Sequence, residues 1–206
     1  VDERESVSQR AGEAIDRINS AARTMVQLLD ELLDLARVGR LVNPSEVFAF
    51  GALARAAVDQ TAGRIVKAGV HVDIKPDLPH VFGDRIRLMQ VLQNLIDNAV
   101  KFMGDQRNPK IVIGATERPG DVLCYVTDNG SGIDPRNLDR IFGVFDRLER
   151  NVEGSGLGLA IVRRIIEAHG GHVWADSEGR RRGTTIYFNL PRDGAYEGLR
   201  STGSAA

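Results

Sequence analysis

The chain has 206 residues, of which 42% are hydrophobic and 27% charged, and its formal net charge is −1. That balance supports a packed core and excludes general disorder. It also offers no basic field for a nucleic-acid partner. No apolar run approaches the roughly 20 residues needed to cross a bilayer, and no signal peptide opens the chain. No membrane contact and a cytoplasmic location are therefore expected. The single cysteine, Cys124, lies in the apolar run Val122–Val126; it reads as a small core residue and excludes an internal disulfide. The chain starts at Val1 without a methionine, and we read it as a fragment of something longer.

Residues 2–40 read as one long helix. Ile15, Ile18, Ala22, Met25, Leu29, Leu32 and Ala36 follow an alternating three-four spacing, a heptad seam that needs partner helices, as in a four-helix bundle. Gly39 and Asn43-Pro44 end it. A compact domain begins at Phe48, with a helix expected from Leu53 to Ala68. Val70, Val72 and Ile74 alternate as a strand before a turn at Pro76–Pro79. Gly83-Asp84 sets up an N-cap, and Gln90–Phe102 then winds as an amphipathic helix. Leu92, Leu95, Ile96, Ala99 and Phe102 form its apolar arc, extended by Met89 and Met103. Asn94, Asn98 and Lys101 lie along the opposite line, with Gln90 and Asp97 beside them.

Ile111, Ile113 and Ala115 alternate, as do Val122, Cys124 and Val126. Pro119-Gly120 between them predicts a hairpin. Asp134-Pro135 starts a short helix, and Leu157–His169 forms another, closed by Gly170-Gly171. His172–Asp176 and Thr184–Leu190 are the last strands, and residues after Pro191 read as a loose tail. Strand periods of two beside amphipathic helices imply a two-layer α/β sandwich. The expected organisation is a helical segment at 1–42, a compact domain at 43–193 and a tail at 194–206.

The polar stripe of the 90–102 helix is chemically specific. Carboxamide oxygens are hard donors that suit Mg²⁺, and an ammonium beside them suits phosphate. Asp128-Asn129-Gly130-Ser131-Gly132-Ile133 follows a buried strand. Its glycines permit tight turning and the approach of a flat ligand, and Asp128 could accept a hydrogen bond from an exocyclic amine. An ordinary Asp-Asn-Gly turn would look the same. Gly154-Ser155-Gly156-Leu157-Gly158 opens a helix whose free N–H groups match phosphate. The dinucleotide fingerprint requires a strand before such glycines, and here a charged segment precedes them; Gly-Lys-Ser/Thr is also missing. Phe142 and Phe145 could anchor a lid or belong to the core, and Arg147 follows where a lid would carry a cation to a terminal phosphate.

Asn-x-x-x-Asn-Ala-x-Lys-Phe, Asp-x-Gly-x-Gly, Phe-x-x-Phe and Gly-x-Gly-Leu-Gly-Leu, in this order, resemble the catalytic and ATP-binding domain of a sensor histidine kinase. The short lid after Phe-Asp-Arg-Leu most resembles the phytochrome-type and related soluble-sensor kinases. The resemblance covers about Asp2 to Pro191. It implies ATP and Mg²⁺ as ligands, with Asn98 holding the metal, Asn94 supporting it and Lys101 contacting phosphate. Asp128 would read the adenine amine, with Gly130, Gly132 and Ile133 shaping the purine pocket. Gly154, Gly156, Leu157 and Gly158 would hold the triphosphate and lid, and Thr184 or Thr185 would line the adenine end.

The resemblance also implies a homodimer through the 1–42 helix and a response-regulator receiver domain as partner. Gyrase-type and MutL-type ATPases carry a glutamate where this chain has Asn94, and an amide cannot activate water. Slow hydrolysis and transfer to an external nucleophile follow. The acceptor motif of the family is missing: His71, His80, His169 and His172 are the only histidines, and none has the helical, acid-flanked context of an acceptor. Residues 2–40 thus look like the second helix of a dimerisation hairpin, and no catalytic residue is assigned within the chain. A non-catalytic ATP-gated interaction module and a gyrase-type ATPase are the rival readings.

Overall fold

A computed structural model describes residues 43–144, 146 and 156–191, together with helical positions Gly12, Ala14, Ile15, Ile18, Asn19, Ala22, Met25, Val26, Leu29 and Leu33. The elements run β1 (Glu46–Ala49), α1 (Phe50–Lys67), β2 (His71–Ile74), β3 (His80–Gly83), α2 (Arg85–Lys101), β4 (Lys110–Arg118), β5 (Asp121–Asp128), α3 (Gly158–Ala168), β6 (Val173–Asp176) and β7 (Thr184–Pro191). Two 3₁₀ turns, Pro135–Asn137 and Arg140–Phe142, lie between β5 and α3.

The main sheet has the order β2-β4-β5-β7-β6, with β2 and β4 parallel and the other pairs antiparallel. Alternation gives each strand one buried face. Ile111 and Ile113, Val122, Cys124 and Val126, and Ile186, Phe188 and Leu190 all enter the core cluster. The layer of α1, α2 and α3 covers them, supplying Phe50, Leu53, Leu92, Ile96, Ile165 and Ile166. The opposite face carries a cross-strand aromatic row, with Trp174 stacked between His172 and Tyr187 at 5.7 and 5.6 Å. The expected two-layer sandwich and the 119–120 hairpin are both present.

Helix ends follow local chemistry. Asp84 caps α2, accepting from the Ile86 and Arg87 N–H groups at 3.0 and 3.2 Å. α1 and α3 both stop in a Schellman arrangement: Gly69 bonds to Val66 O and Val70 to Ile65 O, while Gly170 bonds to Glu167 O and Gly171 to Ile166 O. Gly69 and Gly170 take φ +63° and +72°, which explains the residue type at each stop. α1 lacks a side-chain cap; the Phe50 N–H instead donates to the Pro79 carbonyl at 3.0 Å.

Sequence reading missed a second, two-stranded sheet, in which β1 pairs antiparallel with β3, Val47 opposite Phe82. His80 thus opens a strand instead of simply following a turn. Strands of this length show too few alternations to register a period. Asp97 also leaves the polar stripe, since its carboxylate pairs with Arg64 of α1 at 2.8 Å.

Candidate functional site

The polar stripe of α2 faces the start of α3. Asn94 donates from Nδ2 to the Gln90 carbonyl at 2.9 Å, which anchors the amide to its own helix. A Cβ added to Gly158 would lie 2.9 Å from Asn94 Oδ1 and 3.6 Å from Asn98 Nδ2. Both carboxamides therefore sit against the first turn of α3, and they take the space a side chain at 158 would need. α3 opens at the buried Leu157 without a side-chain cap. Its first N–H groups and the positive end of its dipole favour an anion. Gly156, at φ +76°, makes the turn into this helix. Lys101 lies one turn beyond Asn98, its Nζ 4.9 Å from the Phe102 ring centroid.

The C-terminal end of α2 meets the loop after β5. The Ser131 N–H donates to the Phe102 carbonyl at 2.8 Å. A Cβ on Gly130 would overlap that carbonyl and stand 3.0 Å from Met103 Cα. Phe102 N–H bonds in turn to Asn98 O, so the Asp128 loop is seated one helical turn, about 5 Å, from the amide pair.

Asp128 accepts from the Gly130 N–H at 2.8 Å. Burial pushes its carboxyl up to about 6, against the backbone N–H groups of Gly130 and Thr184, which act to lower it. The result is an acceptor that is ionised at neutral pH yet poorly hydrated, suited to an exocyclic amine. Gly132 has φ +67°, and a Cβ there would overlap the Gly179 carbonyl. The loop before β7 braces this end: Arg181 N–H donates to Ser131 O at 2.6 Å and Gly183 N–H to Gly130 O at 3.2 Å. Ser177 Oγ accepts from Ile133 N–H at 3.0 Å and donates to Gly183 O at 2.6 Å.

The fold thus gathers Asn94, Asn98, Gly156, Leu157 and Gly158 along the C-terminal half of α2 and Asp128, Gly130, Gly132, Ile133 and Thr184 just past its C-terminal end, with Lys101 the last residue of the helix. Thr185 is not among them. Thr184 lies opposite Asp128, whereas Thr185 lies opposite Thr127 and its Oγ1 is 3.0 Å from Thr127 Oγ1, on the other face of the sheet. Strand alternation separates the neighbouring threonines. Arg147, Gly154 and the lid aromatic Phe145 lie outside the described residues; Phe142 is buried in the core. Ser177 and the Phe102 carbonyl escaped the sequence reading, because a turn serine and a main-chain acceptor carry no motif.

Residues 83–194 match the profile of the histidine kinase-, DNA gyrase B-, and HSP90-like ATPases. The chain belongs to this family. It is 42% identical over 192 residues to the methanogenesis regulatory histidine kinase FilI of Methanothrix harundinacea, covering 91% of this chain and 22% of FilI. It is 36% identical over 189 residues to the phytochrome-like protein Cph1 of Synechocystis, covering 91% of this chain and 25% of Cph1. The chain therefore spans about a quarter or less of these relatives.

Among solved structures, full-length ShkA in complex with AMPPNP superposes with TM-score 0.70 at 29% identity, over 84% of this chain and 36% of ShkA. Histidine kinase ThkA in complex with the response regulator TrrA superposes with TM-score 0.68 at 26% identity, over 86% of this chain and 49% of that one. The matched region is the catalytic region of a sensor histidine kinase, with phytochrome-like relatives within the family.

Proposed function

We propose that the chain binds Mg²⁺-ATP between α2 and α3 and presents the γ-phosphoryl group to a histidine outside residues 1–206, from which it passes to an aspartate of a response regulator. The observation that carries this reading is the amide pair of α2 held against the uncapped start of α3, one turn from the Asp128 loop. Residues 43–193 form the catalytic domain in this reading, 194–206 a tail, and the 1–42 segment the dimerisation helix of a cytoplasmic kinase.

Adenine sits at Asp128, its amine donating to the carboxylate, with Gly130, Gly132 and Ile133 beside the ring. The phosphates meet the first turn of α3 and Lys101. Among the described residues no cluster of three or more His, Cys, Asp or Glu side chains could cage a metal. The donors on α2 fit an ion held largely by phosphate oxygens, with the Asn98 carboxamide as protein ligand. Held through Asn98, Mg²⁺ would supply neutralisation of phosphate charge. Asn94, tied by its amide to the Gln90 carbonyl, is no base, so water beside the γ-phosphate stays unactivated and transfer depends on positioning an external nucleophile. This favours a kinase over a gyrase-type hydrolase.

Calorimetry with Mg²⁺-ATP tests the pocket, with Asn98→Ala expected to lose most of the Mg²⁺-dependent affinity. Supplying the missing acceptor helix should then place label from γ-labelled ATP on protein in an acid-labile, base-stable form. Binding without such transfer would leave the ATP-gated interaction module.

A further inference from the structure

The segment that leads into the compact domain is tied to the nucleotide-facing helices by contacts that the ATP pocket does not require. Asn43, partly buried, donates from Nδ2 to Asp84 Oδ2 at 2.9 Å and Oδ1 at 3.2 Å, and from its backbone N–H to Oδ2 at 3.4 Å. Asp84 is fully buried and its carboxylate also caps α2. Its own N–H donates to His169 Nε2 at 3.0 Å. His169, also buried, closes α3, with Nδ1 2.7 Å from the Ile165 carbonyl. Its ring therefore accepts at Nε2 and donates at Nδ1. Space around the junction is filled: a Cβ on Gly83 would stand 2.7 Å from His169 Cδ2 and 2.8 Å from Leu88 Cδ1.

One carboxylate and one imidazole thus join three things: the chain arriving from residues 1–42, the first turn of α2 and the last turn of α3. A cap alone needs only Ser, Thr, Asn or Asp facing the N2 or N3 amide. The second oxygen of Asp84, turned to an asparagine 41 positions earlier in the chain, is extra to capping.

We propose that Asn43, Asp84 and His169 form a latch that fixes the direction in which the N-terminal helical segment leaves the catalytic domain. Resting on the kinase reading, these are positioning residues for phosphoryl transfer: they set where an acceptor carried by the helical domain stands relative to α2 and α3. None of them touches nucleotide.

The test is pulsed dipolar spectroscopy on the full 206-residue chain, with nitroxides on Ala22→Cys and Val66→Cys, both exposed, diluted with unlabelled chain. Buried Cys124, whose thiol is pushed up by burial, escapes labelling. The parent should give a single narrow distance maximum. Asn43→Asp sets carboxylate against carboxylate and should lose it, as should Asn43→Ala, which deletes the contact without adding charge. The exchange Asn43→Asp/Asp84→Asn restores an amide–carboxylate pair and keeps a capping residue, so the maximum should return; loss of stability alone would not reverse in this way. Mg²⁺-ATP affinity should be the same in all four proteins. A distribution unchanged in both single variants, or an exchange that restores the melting temperature but not the maximum, overturns the latch. Failure of all four to bind ATP would sink the kinase reading and leave the distance result standing.

Discussion

In the proposed function Asp128 meets the adenine amine, and its burial carries a cost that does not depend on any ligand. Its carboxyl is raised from 3.8 to about 6, chiefly by burial. The folded state therefore holds the proton more tightly than the unfolded one, and ionisation destabilises the fold. That penalty, at most about 3 kcal/mol, is fully present above pH 6 and disappears as pH falls toward 4. Asp128→Asn should therefore raise the urea midpoint at pH 8, leave it unchanged at pH 4, and abolish adenine-nucleotide binding in calorimetry. His169 behaves oppositely. Burial lowers its pKa from 6.5, so its contribution is complete above the unfolded value and declines as pH falls. In the Asp128→Asn background, urea melts between pH 7.5 and 5 should thus show falling stability. His169→Ala, which strands the Asp84 N–H while the Ile165 carbonyl keeps the residue's backbone N–H, should cost about 1–3 kcal/mol and flatten that dependence.

At the scale of elements, the contact of α2 with α3 separates stability from function. Gly158→Ala replaces glycine in a helix, which favours the helix by up to about 1 kcal/mol. The new Cβ meets the end of the Asn94 side chain, a group that can swing aside. The variant should melt at or above the parent temperature while losing Mg²⁺-ATP affinity. Gly132→Ala should instead lose stability. There the obstruction is the backbone carbonyl of Gly179 and φ is +67°, so stability should fall by about 2–3 kcal/mol. The cap of α2, the extent of α3 and the 119–120 hairpin were legible in the sequence because caps, glycines and periodicity mark them locally. The pairing of β1 with β3 was not. Its register depends on partners more than thirty residues apart, and strands this short leave no pattern of their own.

At the scale of the molecule, the helical residues before Asn43 remain apolar and uncovered: Ile15, Ile18, Met25, Leu29 and Leu33 are between 53% and 67% exposed. The described positions therefore do not pack on the catalytic domain, and in the proposed kinase reading their apolar face is one that a second copy would cover. Met25→Glu with Leu29→Glu should lower the mass found by sedimentation to that of one chain while leaving ATP affinity intact.

The sequence by itself determined the fold class, the amide stripe of α2 and the glycine-rich start of α3, because periodicity and residue chemistry are properties of short stretches. Tertiary structure decided what those stretches face. It turned Asn94 and Asn98 toward Gly158, gave Asp97 to α1, divided Thr184 from Thr185 across the sheet, and joined Asn43 to Asp84 and His169. Each of these outcomes depends on contacts between segments distant in the chain, and no local pattern encodes which surface a neighbouring element will present.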